Sequence, residues 1–130
     1  MLVGIGVDLV SINRIAKIYL KYPERFLSRL FNEKEKETFL KGNKSTASLA
    51  ARFAGKEAVL KALGCGIGPA ALKEVEIITR TGSQPQVRLH GEALKQAKIK
   101  AVTEIAITMT HEPPFACAFA AAVNSGAECG

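Results

Sequence analysis

Charged side chains interrupt two apolar stretches of the chain, and their types suit the binding of phosphate and metal. Asp8 is the only charged side chain in the first ten residues, MLVGIGVDLV. Residues 45–64, STASLAARFAGKEAVLKALG, contain Arg52, Lys56, Glu57 and Lys61. A charge in an apolar setting is costly unless it is paired or bound to a ligand. One interpretation is therefore that these groups face a polyanion and a metal ion.

A purely structural interpretation of the same charges stays open. Glu57 and Lys61 are four residues apart, so on a helix they would form an ion pair. Arg52 and Lys56 would lay their aliphatic stems on apolar surface and extend their charges to solvent. Asp8 would cap a helix or a turn after its strand.

The stretch 45–64 is predicted to form one long helix that positions four of these charges. Ala and Leu dominate it, it has no proline, Ser45 or Thr46 can cap its start, and Gly64 can end it. At about 100° per residue, the large apolar side chains form one stripe: Leu49, Phe53, Val59, Leu60 and Leu63. Small residues form a second stripe, where another backbone can pack closely: Ala51, Ala54, Gly55, Ala58 and Ala62. A helix that is apolar on both sides is expected to be largely buried.

The rest of the chain is predicted to supply shorter helices and strands around this helix. Residues 1–10 form a strand in which Gly4 and Gly6 lie on the same face as Asp8 and leave room for close approach. Helices are predicted at residues 11–22, 23–31, 32–41 and 91–100. Strands are predicted at residues 75–81, 87–90, 104–111 and 115–123.

Further residues outside the long helix are candidates for binding. The first two short helices present a basic face, which a solvated surface would equally explain: Arg14, Lys17, Lys21, Arg25 and Arg29. Lys44 precedes the long helix and could reach an anion near it. His111 ends a strand, where a hydrogen-bonded edge residue is the alternative to a catalytic role. His90 has no partner that the sequence identifies.

The length of 130 residues predicts a single domain, residues 1–130. The cysteine content predicts a reducing cytoplasm. The net charge is +6 without a polybasic run, which favours an acidic or phosphorylated partner. Aromatic residues make up 6% of the chain, with no Trp, so a stacking platform for nucleic acid is not favoured. Cys65, Cys117 and Cys129 form neither a disulfide framework nor a zinc pattern. The N-terminal run is not a signal peptide, because it contains Asp8, and the run at 115–123 is too short to span a bilayer.

Three motifs occur in order along nearly the whole chain. They are GIGVD at residues 4–8, RFAGKEA at residues 52–58 followed by Lys61, and TMTH at residues 108–111. Together they resemble the short, single-domain branch of the 4′-phosphopantetheinyl transferases, the holo-[acyl-carrier-protein] synthase family. The R-F-x-x-K-E-A-x-x-K element is the specific part of the resemblance. Where the family often has serines in the last motif, this chain has Thr108 and Thr110, which keep hydroxyls able to bond phosphate.

The resemblance implies an α+β fold, with a small antiparallel sheet packed on the long central helix and a homotrimer with active sites between subunits. It also implies the reaction, in which coenzyme A gives its 4′-phosphopantetheine to a serine of apo acyl carrier protein, in fatty acid biosynthesis. Adenosine 3′,5′-bisphosphate is released. Carrier proteins of this class are acidic, so the basic face described above becomes the expected docking surface. Neither a nucleic acid nor a membrane is an expected partner.

The resemblance implies roles for the charged residues as well. Asp8 and Glu57 would hold Mg²⁺, and Lys61 would bind a pyrophosphate oxygen and stabilise charge on the leaving group. The other phosphates of coenzyme A would be faced by the remaining candidates: Lys44, Arg52, Lys56, Thr110 and His111. Glu57, acting directly or through a metal-bound water, is preferred to His111 as the general base.

Two other functions stay open at this stage. A non-enzymatic basic module would bind an acidic protein or a nucleic acid, and would need neither Mg²⁺ nor Asp8. A different phosphoryl-group enzyme would use the GIGVD strand for a nucleotide, and would bind and hydrolyse a nucleoside triphosphate.

Overall fold

The structure, a computed structural model, describes residues 1–42, 45–65 and 70–126. Its helices are α1 (Ile12–Lys21), α2 (Pro23–Leu30), α3 (Glu33–Lys41), α4 (Thr46–Ala62), a short 3₁₀ helix (Leu72–Glu74) and α5 (Gly91–Ile99). Its strands are β1 (Leu2–Ser11), β2 (Val75–Ile78), β3 (Gln86–Leu89), β4 (Glu104–Glu112) and β5 (Phe115–Val123). The predicted α+β class and its order of elements are confirmed. Two residues discussed above, Lys44 and Cys129, lie outside the described residues.

The main sheet is antiparallel, with the strand order β1–β5–β4. Asp8 on β1 lies opposite Ala118 on β5, and Ala118 lies opposite Met109 on β4. Because side chains alternate along a strand, Asp8 shares the α4 side of the sheet with Gly4 and Gly6, as predicted. A second antiparallel ladder joins β2 and β3, where the sequence predicts a hairpin.

Small residues let α4 lie directly on the sheet. A side chain added at Gly6 would overlap the carbonyl oxygen of Ala58, and one added at Gly4 would overlap that of Ala62. Ala58 has no exposed surface. The predicted stripe of small residues therefore does provide the close backbone approach, and its partner is β1.

Helices α1 to α3 and the β2–β3 ladder cover other sides of α4. Ser11 caps α1 by accepting a hydrogen bond from the backbone of Arg14. Asn32 caps α3 and forms a reciprocal capping box with Glu35. In the described part of the chain, none of the helices combines the length and hydropathy that crossing a bilayer requires.

The opposite face of the main sheet remains open in this chain. Ile5, Val7 and Leu9 on β1 are 58%, 51% and 61% exposed, and Phe119 on the neighbouring β5 is 45% exposed. These residues lie on the side away from α4, since the β5 residues that face the helix are buried alanines. A continuous apolar face of this kind usually marks an interaction surface.

Candidate active site

Asp8 and Lys61 meet where β1 passes the C-terminal half of α4. The Lys61 ammonium lies 3.0 Å from Asp8 Oδ1 and also donates to the Val7 carbonyl oxygen at 3.0 Å. The Asp8 side chain is only 16% exposed, whereas that of Lys61 is 49% exposed. The Glu57–Lys61 ion pair of the purely structural interpretation is thus replaced by a pair between Lys61 on α4 and Asp8 on β1.

The second oxygen of Asp8 is the most informative atom of the site. Asp8 Oδ2 is buried and has no hydrogen-bond partner among the described residues. A buried, unpartnered carboxylate oxygen costs free energy, so such an atom calls for a ligand. The position of Asp8 beside Gly4 and Gly6 therefore suits a cation better than the capping role that the sequence left open.

Glu57 lies one helical turn before Lys61 and interacts electrostatically with the Asp8 carboxylate. Burial raises the pKa of Glu57, and the negative charge of Asp8 raises it further, while Lys61 opposes the shift. Two carboxylates that repel each other in a partly buried site are stabilised when a divalent cation binds between them. Asp8 and Glu57 are therefore well matched to a shared metal ion.

The number of protein ligands also suits Mg²⁺. Within the described ranges, no group of three or more His, Cys, Asp or Glu side chains could hold a metal ion. Mg²⁺ keeps several waters and is usually bound by one or two carboxylates together with substrate phosphates. A site of two carboxylates next to a lysine fits this ion and a phosphorylated substrate.

Arg52 lies on a different flank of α4. It is about 140° around the helix from Glu57 by helical geometry, and its guanidinium donates to Thr79 Oγ1 at 3.1 Å. Burial lowers the pKa of Arg52, while the carboxylate of Glu35 opposes that change. Within one chain, Arg52 therefore does not join Asp8, Glu57 and Lys61.

A cleft of about 450 Å³ opens beside Arg52, between α3, α4 and the β2–β3 ladder. Three further basic residues line it that the sequence does not single out: Lys34, Arg80 and Arg88. They come from α3, from the turn after β2 and from β3, so no local sequence pattern joins them. His90, for which the sequence finds no partner, bonds Glu76 at the edge of this region at 2.8 Å.

Lys56 lies in the interior rather than at the site. Its side chain is 0% exposed, and its ammonium donates to Glu35 Oε1 at 2.7 Å and to the Leu72 carbonyl oxygen at 3.3 Å. Burial lowers the pKa of Lys56, and Glu35 acts against this. Because its ammonium is already bonded inside the fold, we leave Lys56 out of the proposed phosphate ligands.

The residues of the third motif also lie away from Asp8. Thr110 is exposed on the open apolar face of the sheet, opposite Cys117. His111 is exposed at the end of β4, two strands from β1, which is about 10 Å across the sheet at ordinary strand spacing. Both are accessible to a second molecule.

The basic face predicted on the first two helices is exposed. Its residues are Arg14, Lys17, Lys21, Arg25 and Arg29. The Lys21 ammonium and the Arg25 guanidinium lie 5.4 and 5.7 Å from the centre of the Tyr22 ring. Two of these positive charges therefore lie close to the same aromatic ring. This face is available to an acidic partner.

Comparison with known proteins identifies the family. The family model of the 4′-phosphopantetheinyl transferase superfamily matches residues 4–120. The chain belongs to this superfamily. As a phosphopantetheinyl transferase it is an enzyme, which excludes the non-enzymatic binding module.

Individual relatives of this phosphopantetheinyl transferase are similar to it in sequence or structure over nearly its full length. The holo-[acyl-carrier-protein] synthase of Natranaerobius thermophilus is 40% identical over 118 residues, which cover 91% of this chain and 94% of that protein. The crystal structure of the Neisseria meningitidis holo-[acyl-carrier-protein] synthase superposes with a TM-score of 0.85 at 32% identity, covering 95% and 99% of the two chains. The Helicobacter pylori enzyme, solved in complex with coenzyme A, gives a TM-score of 0.79 at 28% identity, covering 92% and 99%.

The raised pKa of Glu57 predicts how its replacement changes stability with pH. A carboxyl whose pKa is raised by folding stabilises the folded state at low pH, and this contribution is lost as pH rises through the folded pKa. Glu57→Gln should therefore raise the melting temperature at about pH 7.5 and change it little near pH 4, where Glu57 is protonated. Mg²⁺ should raise the melting temperature of the wild type more than that of the variant.

Glu37 supplies the matched control, measured by the same thermal melts. Its carboxylate is exposed and bonded to Lys41, and that hydrogen bond lowers the pKa of Glu37. Glu37→Gln should not raise the melting temperature at neutral pH, and its response to Mg²⁺ should equal that of the wild type. A Glu57→Gln protein that melts like the wild type at both pH values would contradict the assigned environment of Glu57.

Proposed function

We propose that this phosphopantetheinyl transferase transfers the 4′-phosphopantetheine group of coenzyme A to a serine hydroxyl of apo acyl carrier protein. The buried, unpartnered Asp8 Oδ2 beside Glu57 and Lys61 is the observation that carries the proposal. Such a group suits a metal ion shared with a pyrophosphate. The likeness to holo-[acyl-carrier-protein] synthases, one of them in complex with coenzyme A, supports the choice of donor and acceptor.

The transfer is a displacement at phosphorus. The serine oxygen forms a bond to the β-phosphorus of coenzyme A, and the bond from that phosphorus to the bridging oxygen breaks. The bridging oxygen leaves as part of adenosine 3′,5′-bisphosphate, and the serine proton passes to a base. Catalysis of such a reaction consists mainly of holding the phosphates in line and neutralising their charge.

Three residues would hold the phosphates and neutralise their charge: Asp8 on β1, and Glu57 and Lys61 on one flank of α4. Asp8 and Glu57 would hold Mg²⁺, which supplies positive charge at the pyrophosphate. Lys61 is half exposed, so its ammonium can turn from Asp8 to a phosphate oxygen and stabilise charge on the leaving group. Glu57 is the preferred base, directly or through a water, because it lies on the same flank of α4 as Lys61, which would bind the pyrophosphate.

The remaining phosphate ligands require a second copy of the chain. Arg52 and His111 lie away from Asp8 within one chain, as described above, and the open apolar face of the sheet offers a surface for association. A homotrimer with sites between subunits would bring Arg52, Thr110 and His111 of one subunit toward Asp8 and Lys61 of the next. Lys44 would join the same set of phosphate ligands.

The acidic carrier protein would dock on the basic face of α1 and α2. The five exposed basic residues there would steer the encounter and orient the carrier, rather than take part in the chemistry. We assign the modified carrier protein to fatty acid biosynthesis.

The first test of this function is mass spectrometry of an apo carrier protein after incubation with the enzyme, coenzyme A and Mg²⁺. The expected result is a mass gain of one phosphopantetheine group. Asp8→Asn should lower kcat by about 100-fold or more, because it removes charge at the cation site, and Lys61→Ala should lower kcat by a similar factor while changing the KM for coenzyme A far less.

Lys41→Ala is the control for these substitutions, since it removes an exposed ion pair elsewhere and should leave kcat unchanged. An unmodified carrier protein, together with hydrolysis of a nucleoside triphosphate, would favour the alternative phosphoryl-group enzyme and refute the proposal.

The second test asks whether each site is shared between subunits. Asp8→Asn and Arg52→Ala should each be inactive alone. An equal mixture of the two, refolded together, should recover about a quarter of wild-type activity. In randomly assembled trimers, about a quarter of the sites between subunits combine an intact Asp8 with an intact Arg52. Mixing Asp8→Asn with Lys61→Ala should recover nothing, because these residues lie in the same chain's half of the site.

Sedimentation equilibrium of the wild type accompanies that experiment. A trimer mass is the expected result. A monomer mass, or full activity in either single variant, would overturn the shared site.

The third test concerns docking. Arg14→Glu/Arg25→Glu should raise the KM for the carrier protein at least about tenfold and leave the KM for coenzyme A nearly unchanged. The matched control is Lys95→Glu/Lys98→Glu, which makes the same change in charge at exposed residues of α5. Equal KM values for the carrier in the two double variants would place the docking surface elsewhere.

A further inference from the structure

Lys56 and Glu35 form a buried ion pair that the proposed reaction does not use. The side chains are 0% and 6% exposed, and the ammonium and carboxylate oxygen are 2.7 Å apart. The ammonium also lies 5.4 Å from the centre of the Phe31 ring. Lys56 precedes Glu57 directly in the chain, so the pair is anchored one residue from a proposed metal ligand.

The pair connects four parts of the fold. Glu35 Oε1 accepts from the backbone of Asn32 at the start of α3, and Glu35 Oε2 accepts from the backbone of Ile77 on β2 at 3.0 Å. Lys56 adds the middle of α4 and, through the Leu72 carbonyl oxygen, the 3₁₀ helix. Both oxygens of the Glu35 carboxylate thereby accept hydrogen bonds, which fix the orientation of the ion pair.

Stability alone does not account for such a pair. Removing two charges from water costs free energy that their attraction seldom exceeds, so a well-packed apolar pair of similar size is often as stable. A buried polar pair is better attested as a device that selects one arrangement of the packed elements. The question is which arrangement of α4 it selects.

The contact of α4 with β1 leaves rotation about the helix axis weakly restrained. Toward that strand the helix presents Ala58 and Ala62 against Gly4 and Gly6, a smooth contact that fixes distance better than rotation. Lys56 and Lys61 are about 140° apart around the axis, so the Glu35–Lys56 and Asp8–Lys61 pairs restrain opposite flanks. When Lys61 turns from Asp8 to a phosphate, the restraint by Glu35 remains.

We propose that the Glu35–Lys56 pair is a positioning device that sets the rotation of α4 about its own axis. It thereby holds Glu57 and Lys61 at the correct place relative to Asp8. The inference rests on the proposed function, because it gives that site its geometry. Neither Lys56 nor Glu35 touches the substrate in this arrangement.

The experiment compares Glu35→Gln/Lys56→Met with the wild type. Because both charges are removed together, no unpaired charge is left inside, and the double variant should melt at a higher temperature than Lys56→Met alone. Its kcat should still fall about tenfold, as expected for misplaced catalytic groups, with the KM for the carrier protein unchanged. Lys56→Arg keeps the charge and should recover most of the lost kcat.

The Glu24–Lys36 pair, in which Glu24 is exposed and Lys36 is partly exposed, gives the matched control. Glu24→Gln/Lys36→Met removes an ion pair between α2 and α3 and should keep wild-type kcat. A Glu35→Gln/Lys56→Met protein that also keeps wild-type kcat would overturn the inference, since a merely structural pair predicts that result. If the double variant does not fold, Glu35→Asp decides, because it keeps both buried charges and shortens the carboxylate side chain that holds Lys56; unchanged kcat in that variant would overturn the inference.

A crystal structure of the double variant separates this inference from the proposed function. We expect α4 to be rotated, with the Lys61 ammonium beyond about 4 Å from Asp8 Oδ1, outside ion-pair range. An unrotated helix would refute the positioning role whatever reaction the enzyme catalyses. A wild type that cannot modify a carrier protein would refute the proposed function and leave a rotated α4 as support for the positioning role.

Discussion

The close approach of α4 to β1 is the constraint on which the rest of the structure depends. Gly4 and Gly6 leave space for the carbonyl oxygens of Ala58 and Ala62, and any larger side chain would push the helix away from the strand. At this short separation Asp8 reaches Lys61, and its charge acts on Glu57. The glycines of the first motif therefore matter through backbone packing, and the chemistry of Asp8 depends on that packing.

The protein by itself does not compensate the negative charge of Asp8 and Glu57 fully. Asp8 Oδ2 is buried without a partner among the described residues, and burial together with the Asp8 charge raises the pKa of Glu57. These features cost stability in the absence of a cation and favour its binding. The opposite flank of α4 differs, because Lys56 and Glu35 satisfy each other in the interior.

The helix separates two sets of charged residues that the proposed function assigns to a single substrate. Asp8, Glu57 and Lys61 lie on one flank, and Arg52 lies on another, beside a basic cleft. The outer face of the sheet is apolar and exposed, with Val7 and Leu9 more than half uncovered. Association of chains through this face would bury apolar surface and unite the two sets, so assembly and catalysis are coupled in the proposed function.

Local sequence signals were sufficient for the elements, because caps and side-chain periodicity act over a few residues. Ser11 and Asn32 mark the starts of helices, and the alternation around Asp8 assigns its side of the strand. The pairing of charges required the tertiary structure, since Lys61 pairs with Asp8, 53 residues away, rather than with Glu57. In the same way Lys56 pairs with Glu35 on another helix, and Arg80 and Arg88 come to line the cleft beside Arg52. The small residues within the helix predict which of its faces packs closely. They do not predict which charged residues of other elements lie beside α4, because the tertiary structure brings those elements together.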